Sequence, residues 1–400
     1  MMAAAKNTSD YLDGAINLHM DEKSAQLTGA LAVRDGDASV LEIGPGGGIA
    51  LMGLANGYSH PEVPALDGVR INCLELFPSE SATLSQASLA LRECGAEVEF
   101  FVGAAGSLPF DDASQDIVNC SAVLHEVYSY AGGTDGVTQA LAEIARVTKP
   151  GGSLLFRDVY PVDLSIHTPI EQIYSKPSWR NFVHRFIPYY LEEATHDYAS
   201  NVDFYDDGEA IKTEMPVGLA REVQRHYITF RDHVMRTGLL GAKIDLDRFD
   251  DTEWLRTEKG FEKKIYLAHT DQIDGCYLEL HEDRTGVFAV ASDFDDYIDQ
   301  AMSGFFMQLA TGDSQTVLVF NEWLSREGRE SYVYGSVSSV IDSIRSAGSS
   351  ASKSGENGFE IVCAGDLKIA SRDYYTEYLR RVLRVGALPD KKLIVNFTKL

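Results

Sequence analysis

Cysteine is scarce in this chain. There are five in 400 residues, Cys73, Cys94, Cys120, Cys276 and Cys363. They are odd in number, widely scattered and without a CxxC pair, so neither a zinc site nor a redox pair has ligands at the usual spacing. Reduced thiols in a cytoplasmic protein are the expectation. The sequence also lacks any apolar run near the ~18 to 20 residues that cross a bilayer. Its start, "MMAAAKNTSDYLDGA", has no long apolar segment of a secretory signal, and no membrane partner is expected. Positive charge is in short supply: 35 Lys and Arg stand against 60 Asp and Glu, a formal net charge of −25. That excess repels a phosphate backbone and argues against nucleic acid as a partner. There is no HExxH, and His167, His184 and His196 have no metal-ligand spacing, so no metal is expected.

What is present describes a soluble globular protein, with 44% hydrophobic and 24% charged residues. Four hundred residues exceed one compact domain, which implies two domains or one domain with a large insertion. From about residue 38 short apolar runs alternate with helix-like stretches, the pattern of βαβ units and a parallel sheet. Strands are expected at 39–44, 70–76, 97–103, 115–123 and 152–160. Between them lie "SESATLSQASLALRECG", stopped by Gly95, and "GVTQALAEIARVTKPGG", which ends in a Pro-Gly-Gly breaker. Near Pro161 the rhythm gives way to a region rich in Tyr, His, Asp and Arg, read as an inserted α+β cap domain over 161–319. A helix-like "SSVIDSIRSAG", the Ser/Gly-rich "SSASKSGENG" linker, and strands "FEIVCAG" and "KLIVNFTKL" follow.

The stretch "VLEIGPGGGIA" at 40–50 runs a strand into a bare, Gly-rich turn and on into a helix. Such a turn lets the backbone approach a ligand and offers free N–H groups at the helix start. A dinucleotide fingerprint GxGxxG would need glycine where Ile49 stands; Gly44, Gly46 and Gly48 give GxGxG after Glu42, which disfavours a nicotinamide dehydrogenase. The second strand ends in Glu75, placed to accept hydrogen bonds from two vicinal ribose hydroxyls.

Taken in order, "VLEIGPGGG", "INCLELFPSE", "VGAAGSLPFDDASQDIVNCSAVLHEV" and "ARVTKPGGSLLFRD" resemble the successive motifs of class I S-adenosylmethionine-dependent methyltransferases. The resemblance covers about 35–160 and, more weakly, 320–400. It implies an α/β, Rossmann-like fold with a seven-stranded, mostly parallel sheet of order 3-2-1-4-5-7-6, strand 7 antiparallel. The cofactor-binding domain would then comprise 1–160 plus 320–400, with a large insertion after strand 5. It also implies S-adenosyl-L-methionine as cofactor, with Glu42, Gly44, Gly46 and Gly48 around its methionine part and Glu75 on its ribose. Many relatives carry Gly-Asp-Ala in the third motif, with the acid beside the adenine amine. This chain has Gly103-Ala104-Ala105, so adenine contacts fall to backbone groups, Ser107 or Leu108. Ala104, Ala105, Ser121 and, from the N-terminal stretch, Tyr11 complete the expected cofactor set.

In an open α/β sheet the ligand lies beyond the carboxyl ends of the strands. The fourth strand brings His125 and Glu126 there, the first as candidate general base, the second as a substrate contact. The fifth brings Arg157, Asp158 and Tyr160. In the insertion, Arg221, Arg225, His226, Arg231, His233 and Arg236 form a basic cluster able to grip a carboxylate or phosphate; Arg225 and His226 are its substrate candidates. The alternative for this cluster is a charged helix face. Trp179, Phe182 and Phe186 offer a homodimer contact as readily as a pocket wall. The expected activity is methyl transfer to a small molecule, at O, N or C, in specialised metabolism. The alternatives are protein methylation, aminocarboxypropyl transfer, or a non-catalytic cofactor-binding regulatory module.

Overall fold

The computed structural model describes residues 20–34, 36–60, 62–199, 202–237, 239, 254–257, 262–264, 281–284, 286–347, 358–365 and 370–400; Tyr11 and most of the Ser/Gly-rich linker lie outside them. Two compact units emerge, one bounded by Met1–Asp163, Tyr334–Leu367 and Lys392–Leu400, the other by Leu164–Val333 and Lys368–Lys391. From sequence the insert is expected at 161–319. It in fact reaches Val333 and takes in a later segment, because Trp323, Tyr378 and Leu379 belong to the second unit's apolar core.

The first unit opens with α1 (Met20–Ala32), β1 (Ala38–Ile43), α2 (Ile49–Tyr58), β2 (Val69–Glu75), α3 (Ala82–Glu93), β3 (Glu97–Val102), β4 (Gln115–Ser121), α4 (Leu124–Tyr130), α5 (Gly133–Val147) and β5 (Thr148–Val159). The second follows with β6 (Pro169–Tyr174), α6 (Pro177–Glu193), β7 (Tyr205–Asp206), β8 (Ile211–Pro216) and α7 (Val217–Arg236), then β9 (Trp254–Thr257), β10 (Glu262–Lys264), β11 (His281–Asp283), β12 (Gly286–Ala289), α8 (Ala291–Thr311) and α9 (Ser314–Arg326). Next come α10 (Val337–Ser346) and β13 (Phe359–Gly365) of the first unit, α11 (Ala370–Val382) and β14 (Leu383–Val385) of the second, and β15 (Lys392–Lys399), again of the first.

Seven strands form the first unit's sheet in the order β13-β15-β5-β4-β1-β2-β3. Only the pairings of β15 are antiparallel. Counted within the sheet, this is the expected 3-2-1-4-5-7-6 with strand 7 reversed. Strand order turns back between β1 and β4, the switch point at which such sheets bind ligands. The fifth strand begins at Thr148, earlier than its apolar run suggests. A register shift opposite Gln115 and Ile117 absorbs the Pro150-Gly151-Gly152 breaker.

Helices pack on the sheet through faces written in their spacing. In α5, Val137, Ala140, Leu141 and Ile144 are buried, a three-and-four repeat that puts one stripe against the strands. Helix α3 starts at Ser81, whose Oγ accepts the Leu84 amide at 3.0 Å and satisfies a donor the helix start would otherwise leave bare. Ser81→Ala is expected to lower unfolding free energy by about 1 kcal/mol; an unchanged urea midpoint would show that the hydroxyl does not hold this end. Helix α1 is fixed by a buried ion pair: Arg157 of β5 donates from Nε and Nη2 to Glu22 Oε1 at 2.9 and 2.7 Å.

Within the second unit one four-stranded sheet has the order β14-β6-β8-β7 and another β10-β9-β12-β11. Its aromatic core includes Trp179, Phe182 and Phe186 of α6, Tyr227 and Phe230 of α7, and Trp323 of α9. The α6 residues expected to offer a subunit contact are thus consumed by this core, their stripe facing inward at helical spacing. Of the basic cluster of α7, Arg221, His226 and Arg231 are likewise interior. Arg221 Nη2 pairs with Asp390 Oδ1 at 2.6 Å and Arg225 Nη1 with Asp390 Oδ2 at 3.2 Å, while the Arg231 guanidinium lies 4.7 Å over the Tyr378 ring. Charges taken from water need such partners.

Candidate active site

A cavity of about 390 Å³ opens where β1, β2, β3 and β4 end. Each strand contributes residues that follow it: Gly44 and Gly46 after β1, Leu76 and Phe77 after β2, 103–107 after β3, and Ala122, Val123, Glu126, Val127, Tyr130 and Ala131 after β4. Gly136 and Gln139 of α5 complete the wall. The volume falls in the range of small-molecule sites.

The bend after β1 is tight for identifiable reasons. Gly44 has φ +65°, and a Cβ there would lie 2.9 Å from Val123 Cγ2; Gly48 has φ +73°, and its Cβ would lie 2.9 Å from the Leu84 Cα of α3. Side chains are excluded at both points by clash and by backbone conformation. Only the first serves the cavity. Gly48 does not line it and instead lets α2 start close against α3.

Glu75, at the end of β2, reaches this bend. Its Oε1 accepts the Gly46 amide at 2.7 Å. Burial, together with the neighbouring charge of Glu126, pushes its carboxyl up to about 7, even though the Gly46 amide pulls the other way. Glu42, in contrast, is 2% exposed and absent from the cavity wall. Its Oε2 accepts from Asn119 Nδ2 at 2.7 Å, and burial pushes its carboxyl up to about 8. The expectation that Glu42 touches the methionine part is therefore corrected: it is a neutral, hydrogen-bonded acid inside the sheet.

The loop after β3 is clamped from both sides. Gly103 N donates to Glu75 O at 2.9 Å, Ser107 N to Ala104 O at 2.9 Å and Leu108 N to Glu143 Oε2 at 2.8 Å. Arg146 donates to the carbonyls of Leu108 and Phe110, and Gln139 Nε2 to that of Gly106 at 2.9 Å. Ala104, Ala105 and Ser107 line the cavity. Leu108, the other expected adenine contact, is buried in the core with its amide engaged by Glu143.

Only Glu126 of the pair His125 and Glu126 lines the cavity, although one of its carboxylate oxygens lies within 4.8 Å of a His125 ring nitrogen. Consecutive helical residues point about 100° apart, and in α4 it is Glu126 that faces the cavity. His125 is buried. Its Nδ1 lies 2.7 Å from Asp158 Oδ1, and its backbone amide donates to Asp158 Oδ2. Burial raises the Asp158 carboxyl, but His125, Lys392 and the Val159 amide outweigh it and hold the group below the usual carboxylate range. His125 as the base at the cavity is thus replaced by a structural His125–Asp158 pair. Arg157 is corrected in the same way: successive strand residues face opposite sides, so Asp158 meets α4 while Arg157 meets Glu22 of α1.

Ser121 lies off the cavity wall with its hydroxyl buried, and the Tyr160 hydroxyl donates to Asp163 Oδ1 at 2.5 Å rather than lining the cavity. Arg225 and His226 belong to the second unit's interior. The His226 ring nitrogens lie 2.8 and 3.1 Å from the Glu222 and Glu327 carbonyls, and burial lowers its pKa to about 4; a neutral ring donates to one of the two. Unforeseen wall residues are Leu76, Phe77, Val127, Tyr130 and Gln139. No sequence signal marks them, since polar residues on an amphipathic helix and apolar residues at a strand end are ordinary.

Residues 41–156 match the family model described as a methyltransferase domain. Over these residues, under a third of its length, the chain is similar to methyltransferase domains. Members of that family use S-adenosyl-L-methionine as methyl donor. Solved structures similar to parts of the chain include the [4+2]-cyclase SpnF, 26% identical over 34% of this chain and 45% of that one, with a TM-score of 0.26. The YcgJ protein from Bacillus subtilis is 17% identical over 48% of this chain and 94% of that one, at 0.28. The CurJ carbon methyltransferase is 14% identical over 39% of this chain and 38% of that one, at 0.27. The chain thus spans less than half the length of the cyclase and of CurJ. No curated protein matches the chain. No helix among the described residues is long and apolar enough to cross a membrane.

Proposed function

We propose that the methyltransferase domain methylates a small molecule, and that Gly44, Gly46, Glu75 and the 103–107 loop hold the cofactor, with Glu126 at its reacting end. The observation that carries this reading is the meeting of Glu75 with the Gly46 amide on the cavity wall. The wall fits the cofactor's chemistry part by part. A bend without side chains lets a ligand lie close to the backbone, Glu75 offers carboxylate oxygens to a diol, Glu126 offers negative charge to a cation, and Leu76 and Phe77 give a flat base an apolar surface.

When bound, S-adenosylmethionine supplies an already activated methyl group, so the protein's work is mainly orientation and exclusion of water. Glu126 is a carboxylate that α4 turns into the cavity. It orients an acceptor amine or hydroxyl and takes up its proton. His125 and Asp158 fix the first turn of α4 and so set the direction in which Glu126 points. Choice of acceptor, in specialised metabolism on this reading, falls to the second unit, which is inserted in the chain just past β5. Support for a cytoplasmic setting is that Cys73, Cys94 and Cys120 are free thiols.

Isothermal titration with S-adenosylmethionine, S-adenosylhomocysteine and NADH tests the reading. Micromolar binding of the two adenosyl compounds and none of NADH is expected. Absence of adenosyl binding at millimolar ligand overturns it. Intact-mass analysis of products should then show the gain of one methylene, not of an aminocarboxypropyl group.

A further inference from the structure

The loop after β3 carries no acidic side chain between Gly103 and Ser107, yet α5 lays a side-chain amide against it. Gln139 Nε2 donates to the Gly106 carbonyl at 2.9 Å. Only the NH₂ end of an amide can donate to a carbonyl, so this bond fixes which way the group is turned. The other end, Oε1, is a hydrogen-bond acceptor held in a set direction on a residue that lines the cavity. The loop's own carbonyls are less available: that of Ala104 accepts Ser107 N, and that of Gly106 accepts Gln139 itself.

The cavity is also polarised along its length. The carboxylate of Glu126 lies on the wall after β4, where it meets the cationic end of an amino-acid moiety. Glu75 sits between, at the end of β2. Leu76 and Phe77, after β2, and Ala104 and Ala105, after β3, form the apolar part of the wall. A nucleoside whose sugar is held at Glu75 and whose charged arm points to the bend must place its base on this apolar side. Gln139 stands at that end.

Resting on the cofactor assignment above, we propose that Gln139 is a specificity-determining residue whose Oε1 accepts a hydrogen bond from the exocyclic amine of the adenine base, the role left open by Ala104. The ligand feature it reads is an amine at the six-position. A six-oxo base presents an acceptor there and leaves two oxygens facing each other.

Binding of S-adenosylhomocysteine and of its six-oxo analogue S-inosylhomocysteine to the full chain tests this by calorimetry, with no turnover needed. The parent is expected to prefer the amino compound by about tenfold or more, the size of one lost hydrogen bond plus a repulsive contact. In Gln139→Leu the preference should collapse to near unity, mainly through weaker binding of the amino compound, with the melting temperature unchanged because the residue lies on the exposed face of α5. Ser107→Ala, the control on the same loop, should keep the preference. Three results overturn the assignment while leaving the cofactor site intact: no preference in the parent, an equal loss for both compounds in Gln139→Leu, or a preference that vanishes in Ser107→Ala instead. A parent that binds neither compound overturns the cofactor reading itself.

Discussion

Glu75→Ala is expected to weaken S-adenosylmethionine binding by at least about 100-fold while leaving the protein folded. A carboxylate that accepts from two adjacent hydroxyls makes two charge-assisted hydrogen bonds, each worth about 1.5 to 3 kcal/mol net, and losing both multiplies the dissociation constant accordingly. The same side chain gives binding a distinctive pH profile. Its carboxyl is pushed up to about 7 by burial and by Glu126, so the free protein carries it protonated below that pH. The bound state favours the ionised form. Affinity should therefore fall, by at most about tenfold per pH unit, as pH drops below about 7, and level off above it. Glu75→Gln keeps one acceptor but cannot titrate, and its weaker affinity should be flat over the same span. A calorimetric series on the two proteins decides the matter; a parent curve parallel to that of Glu75→Gln would remove Glu75 from the sugar site.

Glu22→Ala should be the most costly change to stability, lowering unfolding free energy by about 3 to 5 kcal/mol. Its partner Arg157 is 1% exposed, and both Nε and Nη2 of that side chain donate to the one Glu22 oxygen. Truncation takes from a buried guanidinium the carboxylate that both donors share, and arginine cannot shed its charge in response. The double variant Glu22→Leu with Arg157→Met removes both charges and should recover most of the loss. Urea denaturation of both proteins checks this. Equal destabilisation of single and double variants would mean that packing, not charge, holds α1 to the sheet.

The alternation of apolar runs and helical stretches made the sheet readable, and four motifs in order made its topology readable before any coordinates. Gly44 and Glu75 were visible for the same reason: a bare bend and a strand-end acid are local features. What adjacency in sequence does not carry is direction. His125 and Glu126 are neighbours, yet the helical twist sends one inward and the other to the cavity; Arg157 and Asp158 are neighbours, yet the strand pleat sends them to opposite faces. The charged residues of α7 looked like a ligand grip because their counter-ion, Asp390, lies far along the chain. Glu42 looked like a cofactor contact because burial of an acid leaves no mark in the sequence around it. Gln139 was hidden by being ordinary, a polar residue on the solvent side of an amphipathic helix.

The pairing of β5 with β15 bears on how the protein is made. During synthesis β1 to β5 emerge well before β15, so the outer edge of β5 finds its hydrogen-bonding partner only when residues 392–399 have left the ribosome. Until then the nascent sheet presents an open apolar border, a template for wrong pairing that chaperones must shield. Closing it joins segments at great separation in the chain, which makes it a slow step. Translation of β15 thereby latches this sheet, and a ribosome stalled before Lys392 would leave its border unsealed.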